Sequence, residues 1–188
     1  MVQHATSGYS YEDLEWLRDE LGLAHLEFDP WGSVVVTPAA DEHDTAMVML
    51  HDQAVAQLGL PSGCVRPNAF GWKTPGGSGY TNVPDLIVLR PGWRRVGDWH
   101  VEPPPLLVAE VASPSSVRID RARKLDDYRL GGAGLYVRVD FFGPGQAGFE
   151  VYDFAADEIR VATGAVDLTV DGRPLRLDLT ALAGGPAR

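Results

Sequence analysis

The chain has a single cysteine, Cys64, so no disulfide can close within it and a zinc finger or ribbon has no cysteine pair to build on. That thiol is expected to be half-buried. No run of 18 or more apolar residues is present, which excludes a hydrophobic membrane-spanning helix. The first residues, MVQHATSGYSYEDLEWL, lack the basic, apolar and cleavage regions of a signal peptide, and the expectation is a cytoplasmic protein without membrane contact. Net positive charge is missing as well. At -10 the formal charge is opposite in sign to the footprint of a nucleic-acid-binding domain. There is no internal repeat and no low-complexity linker. With 188 residues and 45% hydrophobic content, one domain with its own core is the default.

The charge is unevenly spread. Residues 1–60 carry 11 acidic side chains against one basic one, Arg18, whereas residues 61–188 carry 15 of each sign. Between Arg90 and Arg138 nine basic residues face six acidic ones. This stretch is locally basic, either as a phosphate-attracting surface or as a solvated helix face and loop.

Its centre is PLLVAEVASPSSVRIDRARKLDDY, from Pro105 to Tyr128. Leu106 to Val111 has the length and branching of a buried strand, yet Glu110 sits inside it. A buried carboxylate costs several kcal/mol unless a cation, a metal or a proton partners it, roughly the scale of a broken buried pair. Ser113 to Ser116 end the strand, and in the helix that follows Asp120, Lys124 and Tyr128 fall at i, i+4 and i+8 on one face. A strand Glu facing a helix Lys suits a metal and a water beside a phosphate. A second carboxylate, Asp85, opens the apolar strand Leu86 to Leu89.

The remaining pattern is a helix from Ser10 as N-cap, with Tyr11, Leu14, Trp16, Leu17 and Leu21 at helical spacing, then a hairpin of His25–Phe28 and Ser33–Thr37. A second helix runs from Asp41 to Leu58, with Ala46, Met47, Leu50, Ala54, Val55 and Leu58 apolar and Gly59 closing it; His43 lies in its first turn, as a site residue or a structural one. Cys64 to Trp72 reads as one irregular or bent strand and Lys73 to Asn82 as a loop. Residues 90–104 are rich in Pro, Trp and Arg and project over a sheet edge. Trp93, Trp99, Arg94 and Arg95 there suit base stacking and phosphate pairing, or equally a subunit interface. Leu135–Val139, Phe149–Phe154, Glu158–Val161 and short strands over 165–183 complete an α/β chain with a mixed sheet.

With Pro84-Asp85, Glu110 in its EVxSPS context, then Asp120, Lys124 and Tyr128 in order, the sequence resembles the Uma-two restriction-endonuclease family of the PD-(D/E)xK nuclease superfamily, over about Tyr11 to Leu179. The resemblance implies one restriction-endonuclease-like domain over 1–188, its core about 41–140, an N-terminal helix and hairpin at 10–38 and C-terminal strands at 148–180. It implies Asp85 and Glu110 as carboxylates for Mg²⁺ or Mn²⁺, aided by the Val111 backbone carbonyl, with Lys124 orienting the attacking water or neutralising the phosphate. Asp120, Tyr128 and His43 are supporting residues. Arg94, Arg95, Arg118 and Arg121 are expected to meet nucleic acid, with DNA as substrate and a homodimer as the working form. The strand lysine of the superfamily pattern is absent, its place being Ala112, and Lys124 matches a position on the next helix. Leu135-Tyr136-Val137 stands where relatives commonly show Glu-Tyr-Trp. A degenerate nuclease fold serving as a binding or scaffold module is the alternative.

Overall fold

In the computed structural model the described residues are 10–21, 26–31, 33–36, 41–68, 72–74, 76–97, 100–112, 119–141 and 147–184. Helix α1 (Tyr11–Leu21) begins on a reciprocal cap, in which Asp13 Oδ2 accepts the Ser10 N–H at 2.7 Å and the Ser10 hydroxyl accepts the Asp13 N–H at 3.2 Å. Its apolar stripe is narrower than its spacing suggests. Leu17 packs on Leu26, Phe28 and Val83, while Trp16 and Leu21 face solvent.

Strands β1 (Leu26–Phe28) and β2 (Val34–Val36) form the expected antiparallel hairpin. Asp29 closes its turn, since Oδ1 accepts the N–H groups of Trp31 and Ser33 at 2.9 and 2.7 Å. Helix α2 (Asp41–Leu58) follows and stops at Gly59, whose φ of 58° is the left-handed conformation a helix end favours. Ala46, Leu50, Ala54 and Leu58 are its buried stripe; Val55 is exposed. Of the bent strand expected over Cys64–Trp72, β3 is Val65–Pro67, and residues 69–71 lie outside the described residues. Pro67 occupies a non-hydrogen-bonded position, its missing N–H turned away from β4 on the sheet edge, and Asn68, at φ 40°, still donates its N–H to the Asp85 carbonyl at 3.0 Å. Trp72 makes an isolated bridge to Asn82, and Cys64 is fully buried rather than half-buried.

Strand β4 (Leu86–Val88) is followed by a small hairpin, β5 (Arg94–Val96) with β6 (His100–Glu102), and then by β7 (Leu107–Val111). Helix α3 (Ile119–Leu130) carries the chain across to β8 (Leu135–Phe141), which is parallel to β7. β9 (Ala147–Asp153) and β10 (Glu158–Thr163) continue as antiparallel neighbours, giving one mixed six-stranded sheet in the order β10-β9-β8-β7-β4-β3. The hairpin β11 (Ala165–Val170) with β12 (Arg173–Asp178) and a 3-10 turn (Thr180–Gly184) close the fold.

Strand alternation sorts the core into two layers. Leu107, Ala109 and Val111 of β7 and Leu135, Val137 and Val139 of β8 join the cluster that includes α2 and the β11–β12 hairpin. Val108 and Tyr136 belong instead to the cluster of Tyr128 and Trp72, on the side covered by α3. Helix α2 is also stitched to β12: Gln53 exchanges two hydrogen bonds with the backbone of Asp178, at 2.7 Å each, and Gln57 two with that of Arg176, at 2.8 Å each. Glu110 lies on the α3 side of β7.

Candidate active site

The β4–β7 register pairs Leu86 with Ala109, so one residue further along each antiparallel strand Asp85 comes level with Glu110. The Val111 N–H donates to Asp85 Oδ2 at 2.7 Å and fixes that carboxylate against the end of β7. From the first turn of α2, His43 Nε2 approaches the same Oδ2 at 3.3 Å while its Nδ1 stands 3.3 Å from Asp44. Burial works to lower the pKa of this imidazole, but the two carboxylates outweigh it and the net displacement is upward.

Glu110 is held from α3. The Lys124 ammonium lies 3.0 Å from Oε2, and the Tyr128 hydroxyl donates to Oε1. Burial pushes the Glu110 carboxyl up to about 8 against the pull of Lys124, with the charges of Asp85 and Glu27 adding to the rise and the Tyr128 hydrogen bond opposing it. Tyr128 is itself displaced upward by burial and by Glu110. Its ring is wholly buried in an aromatic row, stacked on Trp72 at 5.4 Å and tilted against Tyr136 at 5.2 Å, with Tyr152 stacked on Tyr136. Tyr128 therefore supports Glu110 from within the core.

Asp85, Glu110, Lys124, Tyr128 and His43, drawn from α2, the entrance of β4, β7 and α3, thus meet at one end of the sheet. Val111 joins them through its N–H as well as by adjacency to Glu110. Asp120 is one turn before Lys124 on α3, but its side chain and that of Arg121 lie outside the described residues, as do Arg118 and Trp99 altogether. Arg94 and Arg95 are elsewhere. Their strand, β5, departs from the Leu89 end of β4, four residues along from Asp85, and Arg94 pairs with Glu102 at 3.0 Å.

A third carboxylate was not anticipated. Glu27 of β1 is 9% exposed, and its Oε1 lies 2.8 Å from the Lys124 ammonium and accepts the Val83 N–H at 3.3 Å. Its signal was the one that singled out Glu110, a carboxylate between buried apolar neighbours, here Leu26 and Phe28. Beside it Arg123 approaches Glu27 at 3.6 Å, donates to Asn82 Oδ1 at 2.5 Å and covers the Tyr80 ring at 4.0 Å. On the other flank the register aligns Glu110 with Arg138 and Arg138 with Glu150, and the buried Arg138 guanidinium pairs with Asp140 at 2.5 Å.

A family model described as "Putative restriction endonuclease", Uma2, matches residues 10–171. The chain belongs to the Uma2 family. A solved structure titled as a putative nuclease belonging to DUF820, from Anabaena variabilis, is similar in fold, with a TM-score of 0.58 at 13% identity over 93% of this chain and 97% of that one. No curated protein matches. Among the described residues no three His, Cys, Asp or Glu side chains are gathered as a metal cage. As a donor set for a hard divalent cation, though, the Uma2 chain's adjacent Asp85 and Glu110 fit: they are oxygen ligands, and a cation would offset the burial that raises the Glu110 carboxyl.

Proposed function

We propose that this Uma2 protein is a divalent-metal-dependent endonuclease that hydrolyses phosphodiester bonds, with DNA as its substrate. The observation carrying this reading is the buried Glu110 carboxylate set between Asp85 and the Lys124 ammonium. A structural core has no need of two carboxylates and a lysine on adjacent strands and a facing helix, whereas phosphoryl chemistry needs such a set.

Asp85 and Glu110, with the Val111 carbonyl, would hold Mg²⁺ or Mn²⁺, which supplies Lewis acidity toward the phosphoryl oxygen and a more acidic water. The protein's own groups do the remainder. The Val111 N–H and His43 fix the Asp85 carboxylate, Tyr128 fixes Glu110 Oε1, and Lys124 offers its ammonium N–H groups to the attacking water or to the phosphate oxygens. A homodimer would bring two such sites to the two strands of a duplex, and two-fold pairing is the commonest form of oligomer.

Incubating the pure protein with plasmid and with single-stranded DNA, with and without Mn²⁺, tests the activity; Mn²⁺-dependent cleavage is expected, and its loss in Glu110→Gln and Asp85→Asn. Calorimetry should show Mn²⁺ binding that Asp85→Asn removes. A protein that neither binds Mn²⁺ nor cleaves would instead be a binding module on a nuclease fold. Light scattering at tens of micromolar should give the mass of a dimer, and a monomeric mass would remove the two-site arrangement.

A further inference from the structure

We propose that Glu27, from the N-terminal hairpin, is a positioning residue that retains the Lys124 ammonium when Glu110 turns to a metal, a role that rests on the nuclease reading above. The ammonium is shared between two carboxylates, at 2.8 Å from Glu27 Oε1 and 3.0 Å from Glu110 Oε2. Glu110 has already committed Oε1 to the Tyr128 hydroxyl, so Oε2 is the oxygen that a cation and Lys124 both want. Glu27 has no such conflict. It belongs to another strand, and its orientation is set by the Val83 main chain at 3.3 Å and by Arg123 at 3.6 Å.

Val83 lies two residues before Asp85, so the same stretch that delivers a carboxylate toward the metal also fixes the anchor of the lysine. A buried ammonium left without an anionic partner is strongly disfavoured, as when one member of a buried pair is removed. With Glu27 in place the lysine yields Glu110 at small cost; without it, Glu110 becomes its nearest carboxylate among the described residues, and metal and lysine compete. The N-terminal hairpin is on this account part of the site, holding the lysine that the helix supplies.

A double-mutant cycle on Mn²⁺ affinity, read by calorimetry, separates this role from the others. In the full-length protein Glu27→Gln, which keeps an acceptor for the Val83 N–H, should weaken Mn²⁺ binding about tenfold when Lys124 is present and less than about threefold on a Lys124→Ala background, a coupling within the range contacting residues show. Turnover should follow the same pattern, with Glu27→Gln lowering kcat at little change in KM and adding nothing to Lys124→Ala. Glu27→Asp, which keeps the charge and withdraws it by one methylene, should fall between Gln and wild type, and serves if the Gln variant does not fold. Equal weakening in both backgrounds would overturn the proposal, since Glu27 would then ligate the metal itself or act only on the fold. Wild type that binds no Mn²⁺ would overturn it together with the nuclease reading, whereas wild-type binding with an additive cycle would remove Glu27 alone.

Discussion

Lys124 is one of two lysines in the chain, and it is buried between carboxylates rather than free at the surface. If its ammonium acts on the reacting groups, Lys124→Ala should leave Mn²⁺ binding in place and cut turnover about 10²-fold, as expected for loss of one positioned electrostatic group. Lys124→Arg should restore only part, because a planar guanidinium does not place one donor where a compact ammonium stood. Single-turnover cleavage assays read both. Glu110 yields a pH prediction. Its carboxyl is raised from about 4.5 to about 8 in the folded, metal-free protein, so between these values the folded state binds the extra proton. Its contribution to metal-free stability is therefore complete below the lower value and lost as pH rises through the higher one. Metal must displace that proton, so Mn²⁺ affinity should climb with pH until about pH 8 and level off; titrations at pH 6, 7 and 8 in buffers of different ionisation enthalpy should show the released proton, and a flat profile would contradict it.

At the scale of elements, α3 was legible because it is periodic: Lys124 and Tyr128 are one turn apart, and a helix face announces itself at that spacing. The strands of Glu110 and Asp85 were legible because a charge in a buried apolar run is conspicuous. Glu27 escaped notice because its strand has three residues, too few to show which face is covered, and its meaning depends on β1 lying against Val83. The direction in which Arg94 and Arg95 project was equally hidden, since it follows from which end of β4 their hairpin leaves. Asp127 is another non-local case, one turn beyond Arg123. It accepts hydrogen bonds from the Ser78 N–H at 2.7 Å, the Ser78 hydroxyl at 2.5 Å and the Asn82 amide at 2.9 Å, and so ties the segment around 74–82 to α3. That segment is aperiodic, and nothing in its sequence points to the helix. Asp127→Ala, by stranding the buried Asn82 amide and removing the acceptor of the exposed Ser78, should cost about 2 kcal/mol in urea unfolding; a change below about 1 kcal/mol would show that water or another group replaces the carboxylate.

For the whole molecule, the basic stretch from Arg90 to Arg138 looked in sequence like a surface for phosphate. Folded, much of it is answered internally: Arg90 by Asp171, Arg94 by Glu102, Arg129 by Asp157, Arg138 by Asp140, and Lys124 by Glu27 and Glu110. Local charge counts could not show this, because Glu27, Asp157 and Asp171 come from outside the stretch. The mixed α/β sheet, by contrast, was legible from short alternating strands around one helix between β7 and β8, whereas the order of its strands, set by non-local pairing, was not. The stitching of α2 to β12 carries a consequence of another kind. A strand edge without a neighbouring strand ordinarily loses its amide protons to solvent quickly, yet the N–H groups of Arg176 and Asp178 are bonded to Gln57 and Gln53. In native-state hydrogen exchange these two amides should be protected in wild type, and Gln53→Ala with Gln57→Ala should release them while β7 and β8 exchange as before. The C-terminal hairpin is thereby a splint along α2, and the helix it splints is the one that presents His43 to Asp85.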